Sequence, residues 1–134
     1  MTPRISLLIA SLHVVLYVVL SLRVALHRAN AKVGIGTGGD PVLARKVRVQ
    51  ANFGEYVPLA LLMLALLELA AFDTRLLWVL GLGLLLARVL HAVGLGSSAG
   101  YSVGRFGGAM LTFALLLVMA GLGIWRFVAV AALT

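Results

Sequence analysis

The stretch VPLALLMLALLELAAFDTRLLWVLGLGLLLARVLHAV, from Val57 to Val93, decides the fold. It consists of two long apolar runs joined by Asp73-Thr74-Arg75. A helix crosses the hydrocarbon core of a bilayer in about 20 mostly apolar residues. Three polar residues between two such runs leave room only for a tight reversal, so the stretch predicts an antiparallel hairpin of membrane helices. The first of these runs begins upstream near Val47 and reaches Phe72, and the second covers Leu76 to Val93. Outside the hairpin, Ile5 to Leu26 and Phe106 to Leu133 are long and apolar enough to cross as well. With their polar end turns included, helices are expected at about 4–29, 41–72, 75–94 and 104–133. These form a single four-helix membrane domain over residues 1–134, an all-α integral membrane bundle.

Composition agrees with that reading. Of the 134 residues, 63% are hydrophobic and 11% charged, against roughly 45–50% and about 25% in soluble domains. A chain this short cannot hide so much apolar surface in a water-soluble core. There is no cysteine, which excludes a disulfide scaffold. The net charge of +7 would suit nucleic acid, but basic patches for phosphate lie on wettable surfaces. Here the basic residues flank apolar runs, so no nucleic-acid partner is expected.

The first run has one feature of a signal peptide: Arg4 precedes it and Ala29-Asn30-Ala31 follows it. Its apolar stretch exceeds the roughly 7–15 residues of such a segment, and Arg23, His27 and Arg28 crowd the cleavage position. It is expected to stay as a span. Arg23, Arg28, Lys32, Arg45, Lys46, Arg48, Arg88 and Arg105 lie around the first and third connections, against Arg4, Arg75 and Arg126 at the other side. The excess places the first and third connections in the cytoplasm, with a bacterial inner membrane as the expected location. Trp78 and Trp125 fall towards the opposite boundary, where interfacial tryptophan is common.

The first connection holds Gly34-Ile35-Gly36-Thr37-Gly38-Gly39 before Asp40-Pro41. No strand precedes this run and no Lys-Ser/Thr follows it, so a phosphate loop is a poor reading. A turn ending in Asp40 as N-cap, with Pro41 at the first helical position, fits better. Gly104 and Gly108 have the spacing that lets two helices approach closely. Gly81, Gly83, Gly121 and Gly123 are read the same way.

Charged groups inside a span are costly unless paired or facing water, which makes them informative. At about 100° per residue, taking Arg48 as zero, Arg45 lies near 60°, Asn52 near 40°, Glu55 near −20° and Tyr56 near 80°. These five form one stripe on the second helix. Gln50, near 200°, points elsewhere. The stripe has two readings. One is an internal network in which Glu55 pairs with Arg88 of the third span. The other is a pocket for a ligand with several carboxylates and an amine, since arginine grips carboxylates through paired hydrogen bonds. Arg88 and His91 share a face of the third span, but no second histidine or carboxylate stands at a metal-binding spacing. His13 is alone in the first span and is read as a packed, neutral histidine.

The segment Arg48-Val49-Gln50-Ala51-Asn52-Phe53-Gly54-Glu55-Tyr56-Val57-Pro58 carries an R-x-Q-x-N-x-x-E-Y-x-P pattern. It resembles the MAPEG family, the membrane-associated proteins in eicosanoid and glutathione metabolism. Ser21-Leu22-Arg23-Val24 with Arg28, and Ala87-Arg88-Val89-Leu90-His91 with Gly94, extend the resemblance over nearly the whole chain. It implies a homotrimer of four-helix subunits with glutathione, the co-substrate, between neighbouring subunits near the cytoplasmic face. The residues matching its glutathione contacts are Arg28, Arg48, Gln50, Asn52, Glu55, Tyr56 and Arg88. His91 and Leu95 stand where the leukotriene-forming branch has tyrosines, and His91 is a further candidate contact. That branch's thiolate-activating arginine falls on Ser102 by ungapped matching, so Arg105, three residues on, is the candidate catalytic group, with Tyr101 as a second. These departures point to the small bacterial-like glutathione transferase branch.

The implied function is transfer of glutathione to a lipophilic electrophile, or reduction of a lipid peroxide, with the acceptor arriving from the membrane lipids. The alternative is a non-catalytic MAPEG-like binding or accessory protein. A small multidrug exporter also has four short spans, but it uses an acidic residue in its first span, and this one has none.

Overall fold

The structure is a computed structural model that describes residues 2–97 and 102–132. Its four helices are α1 (Arg4–Ala31), α2 (Pro41–Leu69), α3 (Thr74–Ser97) and α4 (Val103–Ala131). All four are long and apolar enough to cross a membrane. α1, of 28 residues, is about 42 Å long at about 1.5 Å per residue. That exceeds the roughly 30 Å of hydrocarbon, so its ends reach the headgroup layers.

The ends of α1 and α2 and the start of α3 have local causes. Asp40 caps α2, its carboxylate accepting from the backbone N–H groups of Val42 at 2.7 Å and Leu43 at 3.1 Å. Pro41 follows at the first helical position, where its missing N–H costs nothing. α1 closes at Lys32, whose left-handed φ of 53° turns the chain so that Val33 N–H returns to the Arg28 carbonyl at 3.0 Å. α2 ends at Leu69, short of the expected 72. Ala71 takes a φ of 58°, and Phe72 N–H returns to the Leu67 carbonyl at 3.2 Å. The reversal needs a left-handed residue before the three-residue link, so the last turn is spent on the turn itself. Asp73 then caps α3 through Arg75 N–H at 2.9 Å and Leu76 N–H at 3.1 Å. α3 runs on to Ser97, past the expected 94.

α2 and α3 form the centre: α1 packs on both, α4 packs on both, and α1 and α4 do not meet among the described residues. At the end carrying Arg4 and Trp78 (the far end), the core is Ile5, Ile9, Ala60, Leu64, Leu67, Leu77, Leu80, Leu84, Leu115 and Met119. At the other, basic end it is Leu20, Val49, Phe53, Val57, Ala92 and Leu95. Most of the remaining apolar surface is uncovered, as a lipid-facing bundle requires. α4 is mostly uncovered, and its Leu117 is 73% exposed.

α3 and α4 touch backbone to backbone. A Cβ added to Gly94 would lie 2.2 Å from Arg105 N, and one on Gly108 would lie 2.6 Å from both Ala87 O and His91 N. Only glycine fits there. Gly81 instead meets side chains, with Ile9 Cγ1 at 2.7 Å from a Cβ, whereas Gly121 faces open space and contributes no close approach within the chain.

Candidate functional site

α2 presents its polar residues on two opposite faces at the basic end, as its 3.6-residue period dictates. The face turned to α3 and α4 carries Asn52 and Tyr56. Arg88 of α3 is 1% exposed. It donates from Nη2 to Asn52 Oδ1 at 2.8 Å and makes a long contact from Nη1 to Thr112 Oγ1 of α4 at 3.5 Å. Its guanidinium lies over the Phe53 ring, 5.6 Å from the centroid, a cation–π arrangement. The Nε–H of Arg88 has no partner among the described residues. Thr112 in turn donates to the Gly108 carbonyl at 2.7 Å.

The Arg48–Glu55 pair, Nη1 to Oε1 at 3.2 Å, stands at the open edge of this face with side chains 59% and 45% exposed. Glu55 therefore does not pair with Arg88, the internal network considered from the sequence. It stands two turns from Arg48 on the same side of α2, while Arg88 takes the Asn52 amide oxygen instead. Tyr56 packs edge-on against Phe113 of α4, centroids 5.3 Å apart. His91 is buried with Nδ1 unpartnered among the described residues, and the charges of Arg88, Arg105 and Arg48 all act on it. Arg105 lies in the first turn of α4, its backbone N–H donating to Ser102 Oγ at 3.2 Å. Ser102 donates in turn to the Gly94 carbonyl at 2.9 Å. The serine in the family's arginine position thus serves as a cap tying α4 to α3. Tyr101 lies outside the described residues.

The opposite face of α2 looks at α1. Gln50 donates from Nε2 to Tyr17 Oη at 3.1 Å and to Ser21 Oγ at 3.4 Å. With Arg28, Lys32 and Ser21 it lines an open groove of about 640 Å³. Arg28 Nε is buried there without a partner among the described residues. The structure therefore splits the sequence candidates. Arg48, Asn52, Glu55, Tyr56, Arg88, His91 and Arg105 gather on the α3–α4 side, and Arg28 with Gln50 on the α1 side.

Arg88 shows what sequence reasoning left out. Phe53 and Thr112 hold it, and neither was singled out. Thr112 had a signal, as the one hydroxyl inside a long apolar run. Phe53 had none, because an aromatic at a core position looks like packing. Among the described residues no three of His, Cys, Asp and Glu gather to hold a metal. A guanidinium layer with one carboxylate suits an organic ligand that carries carboxylates and an ammonium.

The family model described as the MAPEG family matches residues 6–125. The chain is similar to the inner membrane protein YecN of Escherichia coli strain K12, 30% identical over 90 residues that cover 67% of this chain and 69% of YecN. The protein of the same name from Escherichia coli O6:H1 matches to the same extent. With the motif of α2, the four-helix bundle and a match over most of its length, this chain belongs to the MAPEG family of membrane-associated proteins in eicosanoid and glutathione metabolism.

Proposed function

We propose that the protein binds glutathione at its basic end and transfers it to a lipophilic electrophile, or uses it to reduce a lipid peroxide, in a bacterial inner membrane. The observation that carries this reading is the incompletely paired arginine layer. Arg88 and Arg28 are wholly and partly buried, and each keeps an Nε–H without a partner among the described residues. Glutathione brings two carboxylates to meet guanidinium groups and one ammonium to meet Glu55. Asn52 and Gln50 can each donate and accept. Tyr56 adds a hydroxyl. The inner-membrane placement follows the relative's name and the four spans.

The split between the two faces of α2 supports a site shared by subunits. One subunit offers Arg28 and Gln50. Its neighbour offers Arg48, Asn52, Glu55, Tyr56, Arg88 and His91. A homotrimer closes such a ring with three identical interfaces. In it the thiol loses its proton to solvent and the thiolate is held by a nearby cation. Its sulfur bonds to an electrophilic carbon as a leaving group departs or as the displaced π pair takes a proton from solvent. With a lipid peroxide the O–O bond breaks instead, and two glutathione thiols give the disulfide, an alcohol and water. Arg105 is the residue for that cation, at the first turn of α4 beside His91. The acceptor enters from the lipid-facing side, where the exposed leucines and phenylalanines leave only apolar surface.

The deciding experiment is an ultraviolet difference titration of the detergent-purified protein with glutathione at neutral pH. A saturable thiolate band is expected, and Arg105→Ala should abolish the band while binding persists by calorimetry. Mixing Arg28→Ala subunits with Glu55→Gln subunits should restore part of the binding that each loses alone. Saturable binding without a band in the wild type would favour the non-catalytic binding protein. No binding in an intact oligomer would sink the glutathione reading altogether.

A further inference from the structure

A second basic groove lies at the same end, on the other side of α1 from Arg28, and none of the residues assigned above uses it. It encloses about 460 Å³, lined by Arg23, His27, Asn30 and Lys46 with Leu26 and Ala31. Arg23 and Lys46 also line a narrow recess leading to Gly96 at the end of α3. A Cβ on Gly96 would lie 4.0 Å from Arg23 Nη2, so the guanidinium spans from α1 to α3. Two fixed cations and an amide therefore face one space, and no acidic residue lines it.

The adjoining carboxylate, Asp40, is already occupied. It accepts from Val42 and Leu43 N–H at the start of α2 and lies 2.6 Å from His27 Nε2. On the other ring nitrogen, Lys46 Nζ lies 2.9 Å from His27 Nδ1. With Lys46 donating to Nδ1, the ring proton is on Nε2 and is given to Asp40. The chain Asp40–His27–Lys46 thereby pins the ammonium by one of its three protons and leaves two to donate. The Arg23 side chain has no hydrogen bond or ion pair with the other described residues. Its neighbours on α1, Leu22 and Leu26, are exposed apolar side chains of the kind that face acyl chains. Arg23 thus stands where hydrocarbon gives way to headgroups, a level at which a cation needs an anion or water.

We propose that this groove binds the phosphate of an anionic phospholipid headgroup, with Arg23 and Lys46 as charged donors and Asn30 as the neutral one. A zwitterionic headgroup also has a phosphate, but its own ammonium would be repelled by the two cations. A basic pocket between helices at the membrane surface suits a lipid with net negative charge. The assignment is independent of glutathione, because it shares no residue with that site.

Native mass spectrometry of the full chain in detergent tests it, with phosphatidylglycerol and phosphatidylcholine supplied in equal amounts and the Arg126→Gln variant as a far-end control. Phosphatidylglycerol should be retained at least about tenfold over phosphatidylcholine. Arg23→Gln with Lys46→Gln should cut that preference about tenfold or more, at about 1 kcal/mol per cation. Ala31→Glu, an exposed position on the groove wall, should abolish it without touching the core. Arg23→Lys should keep most of it, and Arg126→Gln all of it. Equal retention of both lipids, an unaltered preference in both the double variant and Ala31→Glu, or an equal loss in Arg126→Gln would each overturn the proposal. So would inorganic phosphate that displaces the lipid at matching concentration, since the groove would then be a free-phosphate site.

Discussion

Glu68 and Arg88 are both buried ionisable side chains of one bundle, and their surroundings treat them in opposite ways. Glu68, at the end of α2, reaches the start of α1. Its carboxylate accepts from Ile5 N–H at 2.9 Å and from Ser6 N–H and Oγ–H at 2.7 and 2.6 Å. A carboxylate of one helix caps the orphan N–H groups of another, at the end where the helix dipole favours negative charge. Arg88 has one short hydrogen bond, one long one and an Nε–H with no described partner. A saturated buried charge is a structural joint. An unsaturated one keeps a donor that a bound ligand or water can take up.

Four measurements would break or sharpen that contrast. The largest expected effect is at the saturated end. Glu68→Ala strands two backbone N–H groups, and each buried donor left unpaired costs about 1–3 kcal/mol. Thermal or denaturant unfolding should show a loss of about 2–6 kcal/mol, with glutathione affinity unchanged. A loss of under about 1 kcal/mol would mean that Glu68 is no joint. Next comes Gly108→Ala, whose Cβ would lie 2.6 Å from Ala87 O and His91 N. Overpacking of this kind costs about 1–3 kcal/mol. Because it displaces α4 beside His91, both stability and glutathione binding should fall.

Glu55→Gln should behave in the reverse way to Glu68→Ala. Its exposed pair with Arg48 contributes under about 1 kcal/mol to stability, yet glutathione affinity by calorimetry should fall about tenfold, a loss of about 1.4 kcal/mol. If binding is unchanged and the oligomer dissociates instead, Glu55 belongs with Glu68 as a structural residue.

The smallest effect is at Asp40. The His27 hydrogen bond, followed by those from Leu43 and Val42 N–H, holds its carboxyl below the ordinary value of 3.8. A depressed carboxylate stabilises the fold above its unfolded pKa, and that contribution is lost as pH falls through the folded one. Acid titration should therefore loosen the α1–α2 connection only below about pH 4, and Asp40→Asn should remove that step. Protection of the connection in hydrogen exchange is the readout. Loosening that begins near pH 6 in the wild type and persists in the variant would assign it elsewhere.

Much of the candidate site was legible in the sequence because helical periodicity is strict. The angles along α2 put Asn52 and Tyr56 together and Gln50 on the opposite side. The structure has Asn52 on α3, Tyr56 on α4 and Gln50 on α1. Pairing was not legible. Charge alone made Glu55 and Arg88 attractive partners, but Glu55 lies at the open edge of α2 and Arg88 lies in the seam beneath Asn52. Glu68 drew no notice, since a carboxylate near a span's end reads as a boundary residue until the start of α1 is found beside it.

The sequence by itself determined the number of spans, the tight α2–α3 hairpin, the cap at Asp40, and the family motif. These depend on local runs, local hydrogen bonds and spacing within one helix. Only the tertiary structure decided who meets whom: Arg88 with Asn52 and Thr112, Glu68 with the start of α1, and Arg28 with Gln50 in one groove. Those contacts depend on the rotation and offset of whole helices. The offset of α3 and α4 is set where Gly94 and Gly108 let two backbones touch, and no period within a single helix encodes that position.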